Sequence, residues 1–96
     1  GFAIIFSVFS ILGSVIVTTR LSGPPAFFIA SFISWEDAFN YIGEKATEKI
    51  AVIIDEFPYI IDENPSVKSI LQHVIDHNWK KKNIFLILCG RYKSYV

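Results

Sequence analysis

With 96 residues, the chain has room for one small domain or part of a larger one. Hydrophobic residues make up 52% of it against 19% charged, a ratio that excludes intrinsic disorder. Nine basic and nine acidic side chains cancel, which leaves no electrostatic footprint for nucleic acid, and the single cysteine, Cys89, excludes an internal disulfide.

The chain opens at Gly1 and contains no methionine, so a piece of a longer reading frame is expected. Residues 1–19 carry no charge and are dominated by Phe, Ile and Val. Such a run is about long enough for a thin bilayer, which takes roughly 17–25 apolar residues as a helix. Its β-branched and aromatic content suits buried strands equally well, and a segment foreign to the rest of the fold is a third reading. It lacks the basic flank of a secretory signal. Arg20, the first charge, favours a cytoplasmic location for the remainder of the chain, with membrane association if residues 1–19 span. A connector over 20–33 is broken by Gly23-Pro24-Pro25, which continues neither a helix nor a central strand.

Residues 34–96 alternate helical and strand patterns and are expected to form an α/β domain. Ser34 followed by Asp37 is close to a capping box, and Trp35, Ala38, Phe39, Ile42 and Ala46 then share one helical face. That helix is expected to end between Thr47 and Lys49. Ile50 to Ile54 is apolar on both faces, the pattern of a central parallel strand covered by helices on both sides. Asp55 and Glu56 close it, and Phe57-Pro58-Tyr59 is expected to turn the chain sharply over the strand end. Asn64-Pro65 is a start signal for a second helix, with Val67, Ile70, Leu71, Val74 and Ile75 as its apolar stripe. Lys80, Lys81 and Lys82 suit a solvated C-terminal end of that helix. Ile84 to Cys89 is a second apolar strand ended by Gly90, completing a parallel βαβ unit.

Ligands of open parallel sheets bind beyond the carboxyl ends of the strands, where Asp55-Glu56 and Cys89-Gly90-Arg91 both fall. An apolar strand closing in Asp-Glu has the form of a Walker B element. The rigid strand holds the Asp where it can bind the water shell of a Mg²⁺ that bridges nucleotide phosphates, and the Glu can polarise an attacking water. Two adjacent carboxylates in a partly buried place would also call for a cation.

The stretches Ser34-Trp35-Glu36-Asp37-Ala38, Val52-Ile53-Ile54-Asp55-Glu56-Phe57-Pro58-Tyr59, Ser69-Ile70-Leu71-Gln72, Ile75-Asp76 and Leu86-Ile87-Leu88-Cys89-Gly90 resemble the archaeal-type AAA+/STAND-like P-loop ATPases. The resemblance spans roughly Ser34 to Arg91, and Asp-Glu-Phe-Pro-Tyr is its specific part. It implies a three-layer P-loop NTPase-like fold, of which this chain is a partial version, that binds ATP. Asp55 is then the Mg²⁺-associated acid, Glu56 the water-activating base, and Arg91 the residue at the nucleotide-contacting sensor position. Two departures stand against turnover. No Gly-x-x-x-x-Gly-Lys-Ser/Thr loop occurs in the chain, so the backbone N–H cradle for phosphates is missing. Arg91 stands where the family usually has Ser, and a guanidinium does not reproduce a hydroxyl's geometry.

The expectation is therefore an ATPase segment inactive alone, with ATP as its ligand. The alternative is a non-catalytic, membrane-tethered α/β domain that binds a protein partner or itself. His73 and His77 have i, i+4 spacing but no acidic metal pattern around them, so partly exposed helix histidines are the expectation. Trp35 and Trp79 are expected as packing residues, and Cys89 as a strand cysteine without a base.

Overall fold

The computed structural model describes residues 1–23 and 27–90; Pro24, Pro25 and Arg91 lie outside them. Its strands are β1 (Ile4–Ile11), β2 (Ser14–Leu21), β3 (Phe27–Phe32), β4 (Ile50–Ile54) and β5 (Ile84–Leu88). Its helices are α1 (Trp35–Lys45), α2 (Phe57–Glu63) and α3 (Ser66–Val74), the last continued by a π-helical turn, Ile75–Trp79. The strands form one sheet in the order β3-β2-β1-β4-β5.

The uncharged opening run is a β-hairpin. β1 and β2 pair antiparallel from Ile4↔Leu21 to Ile11↔Ser14. Between them Leu12 and Gly13 both take positive φ, 48° and 81°, as a two-residue turn of the right-twisting kind requires. No helix among the described residues is long and apolar enough to cross a membrane. Part of the expected connector is strand: β2 runs on through Arg20 to Leu21, and β3 pairs antiparallel with β2 from Val15↔Phe32 to Arg20↔Phe27.

The second half follows the sequence pattern except around Asn64, which caps the end of α2, while Pro65 and not Asn64 is the N-cap of α3. Ser34 has extended backbone angles, and its hydroxyl accepts the Asp37 N–H at 3.1 Å, which starts α1. Trp35, Ala38, Phe39 and Ile42 are buried as the stripe predicts, although the helix stops at Lys45, short of the expected end. β4 pairs parallel with β1 on one side and with β5 on the other, so the β4–β5 unit is the expected parallel βαβ.

Sheet order explains where the helices lie. From β3 the chain crosses to β4 and then to β5, always toward the same edge of the sheet. Right-handed crossovers that advance in one direction place their helices on one face. The burial pattern agrees: Phe6, Val8, Val15, Val17, Ile50, Val52 and Ile54 join Ala38, Phe39, Ile42, Val67 and Leu71 in one core. Among the described residues, the other face of β4 has no helix over it, so the covering expected on both sides is met on one.

Candidate functional site

β4 delivers Asp55 and Glu56 at the carboxyl end of a strand flanked by two parallel neighbours. The ladder continues into Asp55, whose N–H donates to the Val8 carbonyl at 3.0 Å. The Asp55 carboxylate then accepts the Glu56 N–H through Oδ1 at 3.0 Å, which leaves Oδ2 out of that bond. Glu56 takes left-handed angles, φ 54° and ψ 39°, a conformation that costs a side-chain-bearing residue roughly 1–2 kcal/mol. Both side chains are exposed, so the partly buried carboxylate pair expected from the sequence is not found.

The left-handed step at Glu56 turns the chain directly into a helix. Phe57-Pro58-Tyr59 is the first turn of α2, with Pro58 where its missing N–H costs nothing, and not the sharp reversal expected. Tyr59 donates to Glu63 Oε1 at 2.9 Å one turn on. This bond to a carboxylate, and the charge of Glu63 itself, raise the tyrosine above its ordinary value of 10.0.

The two strand ends that carry the resemblance are physically joined. The Cys89 N–H donates to the Ile54 carbonyl at 2.9 Å, and the Cys89 carbonyl accepts the Phe57 N–H at 2.8 Å. Gly90 lies against the Pro58 ring so closely that a Cβ there would overlap the ring carbons. Asp-Glu-Phe-Pro and Cys-Gly are therefore two sides of one contact. This explains a proline in one motif and a glycine in the other, a coupling that sequence reading missed. Arg91, expected at the sensor position, lies outside the described residues.

A cavity of about 420 Å³ opens near these strand ends, lined by Ser10, Gly13, Trp35, Tyr59 and Glu63 among others. Neither Asp55 nor Glu56 lines it. The β1 strand beside β4 runs into the two-residue Leu12-Gly13 turn, which is too short to wrap a phosphate. Gly43, the nearest approach to a phosphate-loop glycine, is instead a packing residue: a Cβ there would meet the Asn78 amide. Asn78 donates to Asn40 at 2.8 Å, and Lys82 donates to the Gly43 carbonyl at the end of α1. Lys82 is thus a helix cap and not only part of a solvated lysine run.

His73 and His77 stack with ring centroids 4.2 Å apart, and both are exposed. Among the described residues no group of three or more His, Cys, Asp or Glu side chains is placed to hold a metal. Trp79 is buried and donates to the Phe39 carbonyl at 3.1 Å, a packing role as expected.

Two archaeal proteins from Methanocaldococcus jannaschii are similar to this chain. The uncharacterized protein MJECL04 is 41% identical over 56 residues, which is 58% of this chain and 12% of that protein. The uncharacterized protein MJ0424 is 36% identical over 55 residues, 56% of this chain and 53% of that protein. The chain therefore spans a small part of the first relative and about half of the second. No known family profile matches the chain, and no solved structure does.

Proposed function

We propose that this chain is the acidic half of a nucleotide-hydrolysing site, a Walker B-type strand zipped to its neighbour and lacking a phosphate loop. The observation that carries the reading is the joint at the strand ends: Asp55 held by the β1 ladder, and Glu56 launched into α2 beside Cys89-Gly90. In this reading, Asp55 would hold a Mg²⁺ through its water shell, and Glu56 would accept the proton of an attacking water. Bound Mg²⁺ would neutralise phosphate charge as it develops; the chain's own residues only orient it and accept that proton. The resemblance to archaeal-type ATPases supports the assignment of roles, and the exposure of both carboxylates leaves them accessible to a ligand.

The test uses calorimetry and phosphate release. The 96-residue chain alone binds Mg·ATP with a dissociation constant of about 1 mM or weaker, since no backbone cradle contributes. Joined to a segment that bears a phosphate loop, it binds and hydrolyses ATP. In that polypeptide Glu56→Gln keeps binding and lowers turnover roughly 100-fold or more, as loss of a general base does. Asp55→Asn weakens binding only when Mg²⁺ is present. Hydrolysis indifferent to Glu56→Gln would falsify the assignment.

A second reading has its own observation. The uncovered sheet face is rich in exposed large apolar side chains, among them Phe27, Ile29 and Phe85, which supports an interaction domain.

A further inference from the structure

The face of the sheet opposite the helices is a built surface. Strand pairing sets its rows. Phe27, Arg20, Ile5, Ala51 and Phe85 lie side by side across the five strands. Ile29, Thr18, Ser7, Ile53 and Ile87 form the next row, and Ile16 with Phe9 the next. Phe27, Ile29 and Phe85 are 57%, 66% and 57% exposed. Parallel strands such as β1, β4 and β5 ordinarily have both faces covered.

We propose that two copies of this chain stack through these open faces, with β4 over β4 and the strands running in opposite directions. The occupant is argued from size and charge. The strand lengths and the usual spacings give a face of about 500 Å² in projection, roughly 24 Å across its five strands. One helix, about 10 Å wide, would leave half of that exposed. A second copy covers all of it and buries about 1,000 Å² over the two partners, the lower bound for a specific interface. Ser7 and Thr18, small and half-buried side by side near the centre, leave room for the large side chains of the opposite sheet, as aligned sheet packing requires.

Charge selects the direction. Along the open face, β4 and its flanks read Lys49, Ala51, Ile53, Asp55 by alternation, a cation at one end and a carboxylate at the other. Lys49 is held there over the Phe2 ring, 5.2 Å from its centre, and Phe2 lies 5.9 Å from Phe85. Stacking with reversed strands sets Lys49 of each copy beside Asp55 of the other. Stacking with strands in the same direction would put Lys49 and Arg20 of both copies at one end, like charges together.

This proposal does not rest on the nucleotide reading, because its test contains no nucleotide. Sedimentation equilibrium on the full chain is expected to show monomer and dimer in exchange at about 100 µM. Ile29→Lys and Phe85→Lys, at exposed positions, are expected to weaken the dimer roughly tenfold or more each, with circular dichroism confirming an unchanged fold. Lys49→Glu weakens it too, and Lys49→Glu combined with Asp55→Lys restores it. A chain that stays monomeric at that concentration overturns the proposal, as does a dimer indifferent to the two lysine substitutions. Failure of the double charge reversal to restore association overturns the stated direction. Adsorption to mixed phosphatidylcholine and phosphatidylglycerol vesicles in place of dimerisation overturns the choice of occupant.

Discussion

Gly90 is needed for lack of space and not for an unusual backbone angle. The Pro58 ring fills the position a Cβ would take, and a ring on the first turn of α2 cannot rotate away. Gly90→Ala is therefore expected to cost about 1–3 kcal/mol, the usual range for overpacking, read as a lower urea midpoint with unchanged slope. Pro58→Ala should recover most of the loss. Tyr59 offers a second measurement at this scale. Its bond to Glu63 favours the protonated phenol, so the folded value lies above the unfolded one. The stability this bond contributes is complete below the unfolded tyrosine value and is lost as pH rises through the folded one. Ultraviolet titration of Glu63→Gln is expected to show one tyrosine titrating at lower pH than in the parent chain. An unchanged titration would remove Glu63 as the cause.

At the scale of elements, local signals were legible where a cap or a stripe was clean. Ser34 caps α1, Ile50 to Ile54 forms β4, and Val67, Leu71 and Val74 bury the inner face of α3. The stripe fails at Ile75, which is 36% exposed. There the helix widens to five-residue hydrogen bonding, and Trp79, five places after Val74, is the next buried residue. No residue type announces such a turn. The opening hairpin was hidden for a different reason. Its turn is Leu12-Gly13, without the Asn-Gly or Asp-Gly that marks such loops, and apolar side chains continue on both faces of β1. Leu12 is fully exposed and held at φ 48°. Leu12→Asn is expected to stabilise the chain by about 1 kcal/mol, because Asn tolerates this conformation and no buried contact is lost. A thermal midpoint that falls on this substitution would mean that Leu12 contributes through some other contact. β3 was obscured because Gly23-Pro24-Pro25 marks the whole connector as a break in the sequence, whereas strand begins again at Phe27.

For the molecule as a whole, sequence pattern located the strand ends but not the sheet they belong to. Asp55, Glu56, Cys89 and Gly90 were singled out from β4 and β5 alone, and the structure brings them together as one joint. That β1 would lie beside β4, with β2 and β3 beyond it, depends on long-range pairing for which short-range periodicity carries no information. The one-sided helix layer results from the same sheet order and was equally out of reach. The outcome is a domain with a well-filled core on one face and its candidate chemistry at an exposed edge of that core, where a small change in stability need not alter the site.

The strand order also separates local from long-range pairing. β1, β2 and β3 join through short connections, so their meander closes with little loss of chain entropy. β4 pairs Ile50 with Ile4 on the free edge of β1, across the intervening meander and α1, and β5 pairs with the other edge of β4. Non-local parallel pairing of this kind is slow. On a ribosome the N-terminal meander emerges first, and the apolar edge of β1 waits unpaired until residues 50–54 have been made. The acidic strand end is thus set in place only once that long-range pairing forms, and chaperone contact during synthesis would fall on β1.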